Sequence, residues 1–402
     1  MTLSIPSRPL DIPRDGLPPV THDDIDDAVA RLAAGASPLA VDTERANEMR
    51  YTNRAYLLQI RREGVGTFLI DPVGIEDRLD GLREVMNCEW IVHAAHQDLL
   101  CLRELGLTPT TVFDTEIAAL LLGYERVSLQ ALCEKVLGWS LAKEYSNSDW
   151  SQRPLPLPLL TYAALDVELL HELRTELTAQ LLEAERFSWF VQECEEVRVR
   201  QPAPPRQQPW RRPARRAGIK DQRSLAMMRE LWNARDDLAR RRDIAPHRIL
   251  PNQILAELAK RKPRSRADVV NSSLFRSEAR KRDVNTWWHA IEIAWRLDES
   301  ALPERKFSEK KDPFPPTNEW PRKDPQAAQR WELLRPTVLG IAESLAIRQE
   351  VLLKPRTQKL AAWKGWRTRD ELLTLLAADG ARPWQIELVG DRIHDAVAGQ
   401  HL

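Results

Sequence analysis

A chain of 402 residues, 43% of them hydrophobic, is long enough for two or three domains with sizeable cores. No apolar run approaches the roughly 18 residues of a membrane span, no basic stretch followed by an apolar one opens the chain, and the four cysteines (Cys88, Cys101, Cys133, Cys194) contain no C-x-x-C pair, so the expectation is a cytoplasmic protein with reduced thiols, without a membrane helix, signal peptide, zinc ribbon or disulfide scaffold. Equal totals of 59 acidic and 59 basic residues conceal an asymmetry: Met1–Glu196 carries 33 acidic and 17 basic residues and the remainder 26 and 42, balances of −16 and +16.

In chain order, residues 1–20 are Pro-rich and polar and read as a flexible leader. Thr21–Ala34 reads as a helix, with Asp23 and Asp24 in the first turn, where negative charge suits the helix dipole. Pro38–Glu44 is an apolar run too short for a helix and reads as a buried strand ending in two acids. Tyr56–Ile60 and Thr67–Ile70, joined by a turn at Gly64–Gly66, predict an antiparallel hairpin. Leu79–Met86 reads as a helix, Glu89–Ala94 as a strand, Gln97–Leu105 as a helix, and Val112–Asp114 as a strand leading into a helix at Thr115–Leu122. Ser128–Leu137 has a capping serine and a closing Gly138. Trp139–Pro158 reads as extended, and Pro158 suits the first turn of a long helix to Ala184. Strands alternating with helices predict an α/β domain over residues 21–197, its mixed sheet flanked by helices.

The second half differs in kind. Arg198–Arg216 holds seven arginines, five prolines and no acid, and residues 198–217 read as a linker. Residues 218–297 and 326–402 are helical in pattern, separated by a Pro-rich charged linker at 298–325. The two units form a weak repeat offset by roughly 103 residues: Leu238, Ile244 and Leu250 fall against Ile341, Ile347 and Leu353. The basic surplus suits a polyanion such as nucleic acid, whereas an acidic half can hold phosphates only through cations. Ten of the fourteen tryptophans lie from Trp210 onward, as core side chains or as base-stacking platforms. Deletion after Val197 is expected to weaken binding of such a polyanion, with a strong salt dependence.

Asp42 and Glu44 are two residues apart on a strand and so share a face, about 6–7 Å apart. Alone, such a pair reads as a solvated strand end. Asp98 opens a helix, where an acid is ordinary, and Tyr162 and Asp166 share a helical face by their i, i+4 spacing. His93 and His96 read as structural residues or as metal ligands.

Together, Asp42-x-Glu44, His93-x4-Asp98 and Tyr162-x3-Asp166 resemble the three exonuclease motifs of the DEDD family in its tyrosine subclass. The histidine subclass would place its base at position 161, which is Thr161. Leu102–Leu107 with Val112–Thr115, and Ser148-Asp149-Trp150-Ser151-x-Arg153-Pro154-Leu155 leading to Tyr162-Ala163-Ala164-x-Asp166-Val167, are similar to the ribonuclease D branch over about residues 20–195. Leu231-Trp232-x3-Asp236-x2-Ala239 with Pro251-Asn252 resembles the HRDC module, and a fainter second copy starts near Gln326.

The resemblance implies a ribonuclease H-like exonuclease fold followed by two all-α HRDC domains. It implies a 3′–5′ exoribonuclease releasing nucleoside 5′-monophosphates by a two-metal-ion mechanism, with RNA such as tRNA precursors as partner; the sequence shows no obvious heptad seam, which favours a monomer. Asp42 would bridge two divalent ions, Mg²⁺ or Mn²⁺, with Glu44 and Asp166 completing one site and Asp98 serving the other. Tyr162 would orient the attacking water. Family position gives Thr43, His93, Lys143 and Arg153 as substrate contacts. A DNA 3′–5′ exonuclease and a catalytically silent RNA-binding scaffold remain alternatives.

Overall fold

The computed structural model describes residues 7–141, 145, 148–275, 281–305 and 312–399. The first half runs β1 (Arg8–Leu10), β2 (Val20–Thr21), α1 (Ile25–Ala33), β3 (Leu39–Arg45), β4 (Ala55–Arg62), β5 (Gly66–Ile70), α2 (Asp80–Val85), β6 (Glu89–Val92), α3 (Leu99–Glu104), β7 (Thr111–Asp114), α4 (Thr115–Leu121), α5 (Leu129–Leu132), β8 (Trp139–Leu141), α6 (Leu157–Glu168), α7 (Leu170–Glu183) and α8 (Phe187–Val199). Six strands form a mixed sheet in the order β2-β5-β4-β3-β6-β7. The β3–β4 and β4–β5 pairs are antiparallel, as the hairpin pattern predicts, while β6 and β7 add in parallel. Both faces are covered, so the strands are apolar on both sides. Leu39 and Val41 point into one core with Ile25, Leu32 and Trp90, whereas Ala40 and Ile91 point into another with Phe113, Leu165 and Leu173.

Three expectations change. The leader is held from residue 7 onward: β1 pairs in parallel with β8, and Leu10 is buried. Arg14 donates from Nε to Glu168 Oε1 at 2.8 Å and from Nη2 to Glu172 Oε1 at 2.6 Å. The long helix divides into α6 and α7 at Leu169, where Arg14 Nη2 also takes the Glu168 carbonyl at 3.2 Å. The Ser128–Leu137 helix is one α turn followed by a wider π turn over Cys133–Leu137, which ends in the left-handed Gly138.

The second half contains α9 (Arg211–Arg216), α10 (Gln222–Arg242), α11 (Pro246–Ile249), α12 (Asn252–Arg261), α13 (Arg266–Val270) and α14 (Val284–Arg296). After these come α15 (Trp320–Lys323), α16 (Pro325–Ser344), α17 (Gln349–Leu352), α18 (Pro355–Lys364), α19 (Arg369–Ala378) and α20 (Pro383–Ala398). The starts of α10, α11, α12 and α13 lie 103 residues before those of α16, α17, α18 and α19. Leu250 and Leu353, at matching points, share an extended backbone (φ −156° in both). Both linkers are shorter than their composition suggests. Trp210 is buried in the first helical core with Ala214 and Ile219, and Trp320 in the second with Trp331 and Trp363.

Both helical units dock on the α/β domain. On the first, Asp243 Oδ1 accepts from the Tyr51 and Thr52 backbone N–H groups and the Thr52 hydroxyl, at 3.0–3.2 Å, on the β3–β4 loop. The second shares a continuous apolar core with α4, α7 and α8. There Trp384 stacks on Trp189 at 4.8 Å and 14°, and its Nε1 donates to Glu193 Oε1 at 2.8 Å. A cut after Val197 would therefore expose a core face, so it is not a clean test of RNA binding. Trp384→Ala is expected to lower stability by about 3–5 kcal/mol, the usual cost of emptying a buried aromatic site. Urea unfolding followed by tryptophan fluorescence checks it, and an unchanged transition would show that the two cores are not coupled.

Candidate active site

The end of β3 builds the floor of the site. Its alternation sends Ala40, Asp42 and Glu44 toward the face covered by α6, and Thr43 to the other. Tyr162 and Asp166, one turn apart on α6, meet them there. One carboxylate oxygen from each of Asp42, Glu44 and Asp166 lies within 4.8 Å of the others. The three open into a cleft of about 520 Å³, whose wall includes Arg45, Glu48, His93, Asp98 and Tyr162. Asp98, just before α3, lines the same cleft outside the trio, with Oδ1 3.2 Å from Arg45 Nη2.

The electrostatics follow from burial. Desolvation pushes the Asp42 carboxyl up to about 6, against a hydrogen bond from the Thr43 backbone and the charge of Arg45. Burial, then repulsion from Asp42, Asp166 and Asp98, holds Glu44 well above the usual carboxylate range. Burial and then Asp42 do the same to Asp98. Tyr162 is raised by burial first, then by Asp166, Glu44 and Asp42, so its hydroxyl stays protonated. Carboxylates this close are all ionised only when cations divide them. The donors are oxygens alone, which suits hard divalent cations and not thiolate-seeking metals.

A second carboxylate, Asp114 at the end of β7, fixes the loop that carries His93 and Asp98. Its oxygens accept from Ala94 N–H at 3.0 Å and Ala95 N–H at 2.8 Å, and Oδ1 also caps α4 through Glu116 N–H at 2.9 Å. The bonds hold Ala94 at φ +59°, a left-handed conformation that costs a non-glycine residue of order 1 kcal/mol. His93 Nδ1 lies 2.9 Å from Thr115 Oγ1, whose own hydroxyl donates to Val92 O. Nδ1 is therefore the donor, Nε2 keeps its lone pair, and burial lowers the imidazole pKa.

The structure brings Asp42, Glu44, Asp98, Tyr162, Asp166, Thr43 and His93 to one cleft. Thr43 donates its hydroxyl to Leu57 O at 2.8 Å, so only its backbone is left for a substrate. Arg153 is a correction: its five N–H groups go to both Asp71 carboxylate oxygens and to the carbonyls of Tyr56, Trp150 and Gln152, which makes it a clamp on the segment before α6. Lys143 lies outside the described residues. Two site residues escaped the sequence reading. Asp114 carries a readable signal, an acid between a strand and a helix. Arg45 carries none, because alternation points it away from Glu44; from the end of β3 its long side chain reaches the cleft wall at Asp98.

Three family models match the chain: a 3′–5′ exonuclease over residues 19–182, an HRDC domain over 224–291, and a 3′ to 5′ exonuclease C-terminal domain over 313–397. The last helical unit thus matches a different description from the first. The ribonuclease D of Jannaschia sp. is 31% identical over 65% of this chain and 70% of its own length. That of Pseudomonas paraeruginosa is 30% identical over 89% and 92%. The crystal structure of a protein from Bifidobacterium adolescentis matches with TM-score 0.90 and 33% identity over 98% of this chain and 100% of that one.

A carboxyl raised on folding favours the fold below its unfolded pKa of about 3.9, and that contribution is lost as pH rises through about 6. In EDTA, Tm is expected to fall between about pH 4 and 7, and to fall less in Asp42→Asn. Mg²⁺ at pH 7 should restore the wild-type Tm and leave the variant's nearly unmoved. A wild-type Tm at pH 7 that ignores both Mg²⁺ and Mn²⁺ would count against a cation site.

Proposed function

The chain belongs to the ribonuclease D family, and from that premise we propose that Asp42, Glu44, Asp98 and Asp166 hold two divalent cations, Mg²⁺ or Mn²⁺, at the active site of a 3′–5′ exoribonuclease. The observation that carries the reading is the convergence of the Asp42, Glu44 and Asp166 carboxylates beneath Tyr162. Bound cations would supply charge neutralisation at the scissile phosphate and a more acidic attacking water.

The protein's own groups divide the remaining work. Asp42 and Glu44 are set by β3, which is paired with β4 along its length and with β6 at Leu39 and Ala40, so their spacing is held by the strand. Asp166 and Tyr162 are carried as a rigid pair by α6, whose C-terminal end Arg14 fixes through Glu168. Tyr162 is protonated and gives its one O–H to Asp166, so it orients the attacking water by accepting a hydrogen bond from it and does not act as its base. His93, neutral with Nε2 as acceptor, is placed to receive a hydrogen bond from the terminal ribose. Hydrolysis at the last phosphodiester releases a nucleoside 5′-monophosphate.

The RNA is held mainly by the basic half. Arg241 and Arg248 are exposed on either side of Asp243, on the unit docked beside the cleft. They suit phosphate attraction that is independent of base sequence. Among the described residues no helix is long and apolar enough to cross a membrane. We infer a cytoplasmic monomer that trims RNA with a free 3′ end, tRNA precursors among them.

On paired 5′-labelled RNA and DNA oligonucleotides with Mg²⁺ or Mn²⁺, Asp42→Asn is expected to lose on the order of 10³-fold in rate, and Tyr162→Phe about 10²-fold. An active Asp42→Asn would sink the assignment, and preference for DNA would change the substrate class. The pair Arg241→Gln and Arg248→Gln is expected to weaken RNA affinity and to reduce the slope of log K against log[salt] by about 1 per residue. Gel-shift titrations across salt check it, with an unchanged slope placing the RNA elsewhere.

A further inference from the structure

Among the described residues that line the carboxylate cleft, Arg45 is the one arginine or lysine; the others with charge are Asp42, Glu44, Glu48, Asp98, Glu116 and Asp166. Its side chain is 21% exposed and its Nη2 lies 3.2 Å from Asp98 Oδ1. This position is not the default for the sequence. Residue 45 follows Glu44 directly and in regular alternation would point with Thr43, away from the cleft. The β3–β4 register shifts here, with Tyr56 the extra residue on β4, and Arg45, at the last position of β3, reaches the cleft wall at Asp98.

We propose that Arg45 exchanges partners during the reaction cycle: it neutralises Asp98 while that carboxylate has no cation, and when a divalent cation takes Asp98 it turns to bind the phosphate at the 3′ end of the RNA. The inference rests on the metal-dependent exonuclease reading. The guanidinium and a cation compete for the same Asp98 oxygen, so metal binding releases the arginine instead of stacking more charge upon it. The released group has five N–H donors in a planar fork that matches phosphate, in a partly dehydrated cleft where such bonds are strong. It remains beside Asp42 and Asp98, where the last phosphodiester must lie. The exchange therefore ties phosphate affinity to metal occupancy. Arg45 is a substrate-binding residue in this scheme, and Asp98 is the carboxylate it yields.

The test compares the full-length wild type with Arg45→Gln and Arg45→Lys. Mn²⁺ binding is followed by electron paramagnetic resonance, and binding of adenosine 5′-monophosphate by equilibrium dialysis with and without Mn²⁺. Arg45→Gln should bind Mn²⁺ about tenfold more tightly at its Asp98-dependent site, having lost the competing charge. It should bind the nucleotide about tenfold more weakly in saturating Mn²⁺, the loss of one charge-assisted contact. Arg45→Lys, which keeps the charge without the fork, should leave Mn²⁺ affinity near wild type and give an intermediate nucleotide affinity. Unchanged or weaker Mn²⁺ binding in Arg45→Gln overturns the proposal, as does unchanged nucleotide binding. If those results accompany Mn²⁺-dependent RNA hydrolysis by the wild type, Arg45 alone has been misread. A wild type that neither binds Mn²⁺ nor cleaves RNA overturns the exonuclease reading as well.

Discussion

Asp42 and Glu44 project from one face of β3 into a cleft where burial and mutual repulsion both disfavour their ionised forms. A lone strand end would relieve that by turning outward. Here β3 is paired with β4 along its length, anchored to β6 at Leu39 and Ala40, and packed on both faces, which holds the carboxylates in place. Asp166 adds a third charge from above, on a helix held at its far end by the Arg14–Glu168 pair. The fold thus opposes the unfavourable charge cluster with rigidity instead of with a built-in set of counter-charges. That is the arrangement a cation site needs, since ligands free to separate would lose affinity for the ion.

The surrounding elements extend the same constraint outward. Asp114 ties the Ala94–Ala95 loop to the start of α4, so Asp98 and His93 keep their places although Ala94 sits in a strained conformation. The two helical units reach the α/β domain at separate places, the first of them beside the cleft, where His247 meets Glu48 at 3.5 Å. The first grips the loop just after Glu44 through Asp243. The second buries Trp384 against α8 and packs closely on Gly123, where an added Cβ would lie 2.1 Å from the Ala346 carbonyl oxygen. The charge asymmetry gains a spatial meaning from this docking: the first, arginine-rich unit stands beside the acidic cleft and is joined to the β3–β4 loop by specific bonds.

Much of this is legible in the sequence because the chemistry demands residue types at fixed spacings. A strand period of two places Asp42 with Glu44, and a helical period places Tyr162 with Asp166, without any knowledge of the tertiary fold. The hairpin, the buried strands and the 103-residue repeat follow from equally local patterns. What stayed hidden depends on contacts distant in sequence. Arg14 fixes a segment whose composition alone reads as loose, because Glu168 and Glu172 lie more than 150 residues away. Arg153 looks like a groove cation until Asp71 and three carbonyls claim its donors. Trp210 and Trp320 sit in linker-like sequence and are core residues all the same. Arg45 is the sharpest case, since alternation points it away from Glu44 and only its contact with Asp98, distant in sequence, brings it to the cleft.

The Arg45–Asp98 pair bears on the order of events at the site. A phosphodiester reaching the cleft before any cation meets six acidic side chains against one guanidinium, and the guanidinium is already paired with Asp98. Repulsion over such distances in a partly dehydrated cleft amounts to several kcal/mol, enough to keep the phosphate at the rim. A divalent cation reaching the cleft first meets only attraction, apart from Arg45, which Asp98 then gives up. Cation before phosphate is therefore the favourable sequence, and the basic helical units can hold the RNA nearby while it happens. Charge of opposite sign kept in separate, docked parts of one chain serves that order better than a mixed cleft would, because a cleft already neutralised by its own arginines and lysines would have no use for the metal.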